Sequence, residues 1–91
     1  MPSIDIKRSH SLPLADARAK VQRVADHIAS RFDVACAWEG NTLKFQRSGV
    51  DGQIKVGAKQ VHVVAELGFL LSALRGTVER EVNRYLDEEF A

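Results

Sequence analysis

The sequence predicts an α+β domain of two layers, a five-stranded antiparallel sheet with both helices on one face. Three observations carry this. Five short stretches alternate apolar and polar residues with the period of a strand that buries one side. Two longer stretches repeat apolar residues at spacings of three and four, as a half-buried helix does. The last four strand candidates are joined by turns short enough to require antiparallel neighbours. The order is β-α-β-β-β-β-α. The first strand pairs most simply beside the last one, because its own neighbour in sequence is a helix. That gives sheet order 1-5-4-3-2, with one face covered and the other wet.

The best strand signal lies in Val61 to Leu74, VHVVAELGFLLSAL. Val61, Val63, Ala65 and Leu67 alternate with His62, Val64 and Glu66, Gly68 interrupts, and Phe69, Leu70 and Leu71 open a helical pattern. Earlier in the chain, Ile4 and Ile6 alternate with Ser3, Asp5 and Lys7 as a short first strand. Ser11-Leu12-Pro13 marks a helix start, with Ser11 as a candidate cap. Ala17, Val21, Val24, Ala25, Ile28 and Phe32 then form the apolar stripe of a helix ending near Phe32.

Val34, Cys36 and Trp38 form the next alternating set, and Glu39-Gly40-Asn41 a turn. Leu43 and Phe45 follow, then a second turn over Ser48 to Gly52 built on the Asp51-Gly52 pair, then Ile54 and Val56. Gly57-Ala58-Lys59 turns into the long strand. After Gly68 a short helical turn is expected at about Phe69–Arg75, followed closely by the main helix. The apolar phase runs on through Gly76; a break there, with Thr77 as a cap, is the alternative. The core is expected to hold Ile6, Val21, Ile28, Trp38, Phe45, Val56, Val63, Leu74, Val82 and Leu86.

Length and composition bound the rest. The chain has 91 residues, which is room for one domain, residues 1–91, and its 45% hydrophobic content is enough for a core. Thirteen Lys and Arg oppose twelve Asp and Glu, so a net charge of +1 argues against a general nucleic-acid binder. A mild excess of basic residues before position 48 and of acidic ones after it suits self-association, such as a homodimer, as well as a partner. One cysteine, Cys36, excludes an internal disulfide and a multi-cysteine metal site. MPSIDIKRSH lacks the apolar core of a signal peptide, and no apolar run approaches the ~20 residues of a membrane span. A cytoplasmic protein is the expectation.

Three stretches taken together resemble the small bacterial polyhydroxyalkanoic acid system proteins, a polyhydroxyalkanoate granule-region family. They are HSLPLADARAKVQRVADHIASRF at residues 10–32, AWEGNTLKFQRSGVDGQIKV at 37–56, and AELGFLLSALRGTVEREVNRYLDEEF at 65–90. The resemblance implies a bacterial cytoplasmic protein tied to polyester storage granules. It implies no reaction and carries over no catalytic residues. The element order also resembles a shortened helix-grip fold, in which a curved sheet wraps a C-terminal helix and many members hold apolar ligands.

Catalytic chemistry finds no footing in the residues. His10, His27 and His62 stand in no metal-ligand spacing and read as surface histidines, so no metal or cofactor is expected. Cys36 sits mid-strand between alanines, and Ser72 lies in an apolar helical run; neither has the glycine-flanked elbow of a polyester synthase or depolymerase. Converging titratable groups are missing, so no enzyme is expected. Arg18, Lys20, Arg23 and Arg31 share their helix with Asp16 and Asp26 and read as a solvated face.

Phe69-Leu70-Leu71 is the suggestive feature. Three bulky apolar residues in a row cannot all face one core from one helix, so at least one is exposed or meets a partner. The competing expectation is that the kink after Gly68 folds all three inward. Trp38 has a similar ambiguity, capping the core or lying at its mouth. Two functions follow as expectations. One is a non-catalytic accessory protein docking on a polyhydroxyalkanoate granule or on a granule protein through Phe69, Leu70 and Leu71. The other is a carrier or sensor of an apolar acyl ligand between sheet and C-terminal helix, lined by Trp38, Phe45, Val78, Val82 and Leu86. A cavity of ~300 Å³ or more would support the second.

Overall fold

Alternation becomes burial strand by strand. Ile4, Ile6, Leu43, Phe45, Ile54, Val56, Val61 and Val63 are buried, while Asp5, Lys44 and Lys55 between them are exposed. The computed structural model describes residues 3–90, apart from the side chain of Leu70. The elements are β1 (Ile4–Ser9), α1 (Leu14–Phe32), β2 (Ala35–Glu39), β3 (Thr42–Arg47), β4 (Val50–Val56), β5 (Gln60–Leu67), a 3-10 helix (Phe69–Leu74) and α2 (Arg75–Phe90). The sheet runs β1-β5-β4-β3-β2 with every neighbour antiparallel, the order the sequence predicts.

The helices close the buried face. α1 contributes Ala17, Val21, Val24, Ala25 and Ile28, and α2 contributes Val82, Tyr85 and Leu86. These two sets and the inward strand residues form one core cluster. Ser11 does not cap α1. Pro13 holds the N-cap position without a side-chain hydrogen bond, and its carbonyl accepts the Ala17 N–H at 2.9 Å. Proline fixes φ near the value a helix entry needs, so the start is set by the ring and not by a hydroxyl. At the other end Asp33 takes a left-handed φ of 55° and reverses the chain into β2.

Two turns are set by glycine. Gly40 has a φ of 61° and Asn41 has no positive φ, the type II′ pattern that closes the two-residue β2–β3 hairpin. The β3–β4 turn is Ser48-Gly49, with Gly49 at φ 84°. The expected turn over Asp51-Gly52 is therefore displaced: both residues lie inside β4. Gly52 is buried directly across from Phe45, and a Cβ there would stand 3.2 Å from the Ala65 Cβ. Glycine is used here for cross-strand space, which the Asp-Gly dipeptide does not disclose.

Two expected core residues are displaced as well. Leu74 is 48% exposed. It belongs to the 3-10 helix, where three residues per turn replace 3.6, so the apolar phase of α2 does not extend back to it. Trp38 is half-buried at the sheet edge. Its indole N–H donates to Gln22 Oε1 at 2.7 Å, and the Arg18 guanidinium lies 4.6 Å from its ring centroid.

α2 runs unbroken through Gly76, so Thr77 starts no second piece. A Cβ on Gly76 would meet nothing within 4 Å, and its φ is an ordinary one. Gly76→Ala should therefore stabilise the fold by about 0.5 kcal/mol through helix propensity and a less free unfolded chain. A rise in Tm of a few degrees in thermal unfolding checks this. A fall would mean that the first turn of α2 needs glycine.

Candidate functional site: an apolar corner after β5

The chain leaves the sheet at Gly68 and turns into the 3-10 helix, and two glycines set the geometry. The Gly68 N–H donates to the Gly49 carbonyl at 2.7 Å. A Cβ on Gly68 would lie 3.3 Å from the Gly49 Cα and 3.3 Å from its carbonyl oxygen. The end of β5 is thus pressed against the β3–β4 turn, backbone to backbone, an approach that glycine permits. The Leu71 N–H then donates to the Gly68 carbonyl at 2.9 Å, and Ser72 Oγ to the Phe69 carbonyl at 2.8 Å. Leu71 is half-buried and lies over Gly49.

That arrangement leaves Phe69 outside. It is 92% exposed, against 48% for Leu74 and 39% for Leu14, the other large apolar side chains exposed among the described residues. The expectation that all three residues of Phe69-Leu70-Leu71 fold inward is overturned at Phe69. The Leu70 side chain lies outside the described residues. Arg47, Ser48, Gly49, Gly68, Phe69 and Leu71 line one shallow depression. Two arginines are pinned near this end of the molecule by main-chain carbonyls: Arg47 donates to Phe32 and Arg75 to Ser3, each at 2.6 Å.

The proposed acyl pocket meets a different geometry. An apolar space of about 60 Å³ lies between the sheet and the helices, lined by residues that include Phe45, Val78 and Val82. Trp38 stands at the β2 edge and is not among its lining, and Leu86 is fully buried in the core. The volume is that of a few water molecules and too small for an acyl chain; ligand sites begin near ~300 Å³.

The other singled-out side chains have structural partners. His10 accepts from the Leu12 N–H at Nδ1 and meets the Gly57 carbonyl through Nε2, clipping the β1–α1 link to the β4–β5 turn. His27 stacks on Tyr85 with centroids 5.0 Å apart, and His62 pairs with Asp5 on the wet face. On α1, Arg23 bridges to Glu89 of α2, and Arg18 covers Trp38. Cys36 is half-buried on β2. A hydrogen bond from Arg84 holds the Glu81 carboxyl below its ordinary range, and the same bond raises the Arg84 guanidinium. That pair lies on the exposed side of α2, in a different element from the corner.

Taken together, fold and site define a small two-layer α+β domain that presents an aromatic side chain on a glycine-built corner. Residues 4–90 match the family model described as "Putative polyhydroxyalkanoic acid system protein". The chain belongs to that polyhydroxyalkanoic acid system family, as the three resembling stretches imply. No curated protein and no solved structure matches it. Among the described residues no helix is long and apolar enough to cross a membrane.

Proposed function

We propose that this protein is a non-catalytic accessory factor of bacterial polyhydroxyalkanoate storage, acting at the granule surface or on a protein that coats it. The supporting observation is Phe69, 92% exposed on a corner in a chain that belongs to a polyhydroxyalkanoate system family. A polyester surface is an apolar interface, and a folded protein docks there with side chains its own core does not need. A corner reaches such a surface before a helix flank does. Covering one phenylalanine gives about 1.5–3 kcal/mol, which is about ten- to a hundredfold in partitioning.

Phe69→Ser is therefore expected to lower the bound fraction on isolated granules by about tenfold or more. Circular dichroism and Tm should stay at wild-type values, because the side chain contributes little to the core. Bare polyester particles run alongside separate polymer binding from binding to a coat protein. A folded Phe69→Ser protein that binds as wild type does would remove the docking role from the corner.

A further inference from the structure

β1 and β2 are the two edges of the sheet, and they are built differently. On β1, Asp5 and Lys7 point to the wet side, and Arg8 is held against α2 by Asp87 and Asn83. Charges of this kind keep an edge from pairing with another chain. β2 reads Ala-Cys-Ala-Trp-Glu, with no charge until its last residue, no proline and no bulge. A shallow groove runs along it, lined by the whole of β2 with Lys44 and Gln46 of β3. Cys36 and Trp38 face the core side yet are half-buried, because the core stops at this edge.

We infer that β2 is an interaction surface for a second copy of this chain, pairing antiparallel about a two-fold axis at Ala37. The register follows from the hairpin. Glu39 and Thr42 flank a two-residue turn and close it as a hydrogen-bonded pair. Ala37 and Ala35 therefore also turn their main-chain groups to β3, and Cys36 and Trp38 turn theirs to the free edge. A strand of five residues matched end to end with itself has Ala37 opposite Ala37. Cys36 of each copy then exchanges hydrogen bonds with Trp38 of the other, so four free donors and acceptors on each side are met by their own equivalents.

Side chains agree with this register and favour a second copy over another strand. On the wet face Ala37 meets Ala37, and Glu39 meets Ala35, so the two carboxylates do not oppose each other. The Lys44 ammonium groups stem from strands three spacings apart, roughly 14 Å, beyond the screening length at physiological salt. On the core side Trp38 lies beside Cys36 of the second copy, covering both half-buried side chains. Each copy extends the other's sheet to ten strands, and the ungated edge disappears. Five residues of ladder lie at the small end of stable interfaces, so a Kd on the order of tens of micromolar is expected.

Sedimentation of the full chain from about 1 µM to about 1 mM should show a monomer–dimer equilibrium across that range. Ala37→Lys places like charges opposite each other at the axis and should raise the Kd by at least tenfold, with an unchanged circular dichroism spectrum. A register test stands apart from that variant. Ala37→Cys in a Cys36→Ser chain puts two thiols at a non-hydrogen-bonded pair, about 4.5 Å between Cα atoms, and should oxidise to a linked dimer. Ala35→Cys alone should not link, but should link when mixed with Glu39→Cys. A wild-type chain that stays monomeric to the highest concentration overturns the inference. So does a dimer that survives Ala37→Lys, or one lost instead with Phe69→Ser.

Discussion

Phe45→Ala is expected to melt far below the wild-type protein. Phe45 is 6% exposed at the centre of β3, pairs across the ladder with Cys36 and Gly52, and borders the apolar space of about 60 Å³. Gly52 has no side chain to fill a gap, so the void left by the ring joins the space already there. Such a substitution costs about 3–5 kcal/mol, transfer and cavity terms together. A domain of this size holds on the order of 5–10 kcal/mol in total, so roughly half is lost. Tm should fall by about 15–30 °C. The enlarged space is apolar, so benzene should return part of the lost stability, as ligands of dry cavities do. A drop of only a few degrees would show that the helices collapse onto β3, and that the space beside Phe45 is deformable.

Most of the fold is legible in the sequence because its signals are local. Alternation in Ile4–Lys7, Leu43–Phe45 and Val61–Leu67 reports a sheet with one wet face, and the α1 stripe reports the layer above it. What escapes is set by partners distant in the chain. Asp51-Gly52 is a turn signal taken alone, but Phe45 and Ala65 across the ladder decide that Gly52 is a strand residue. Leu74 carries the right phase for α2, yet the 3-10 winding before Arg75 rotates it outward. The surplus of bulky residues at Phe69-Leu70-Leu71 is visible in the sequence. The exposure of Phe69, with Leu71 laid over Gly49, follows from Gly68 meeting Gly49, a contact between two elements that no local pattern encodes. Open edges are similar: the uncharged run in β2 can be read off the sequence, but its place at the edge comes from the strand order.

That glycine contact is where fold and docking site meet, and it yields the second large effect. Gly49 has a φ of 84°, and a Cβ there would stand 3.2 Å from Leu71 Cδ1. Gly40, in the β2–β3 turn, has a φ of 61° with nothing within 4 Å of the same position. Gly40→Ala therefore measures backbone strain by itself, about 1–2 kcal/mol. Gly49→Ala also places a Cβ at positive φ, and must displace Leu71 as well. Gly49→Val adds a branched side chain at positive φ and should cost about 2–4 kcal/mol. A double-mutant cycle of Gly49→Ala with Leu71→Ala in chemical denaturation isolates the packing of the 3-10 helix on the turn. If Leu71 holds Phe69 in place, Gly49→Val should also weaken granule association at temperatures where the chain is still folded, whereas Gly40→Ala should not. A cycle without coupling between positions 49 and 71 would mean that Leu71 swings away freely, and the corner would then owe its shape to the hydrogen bond from Gly68 to Gly49 alone.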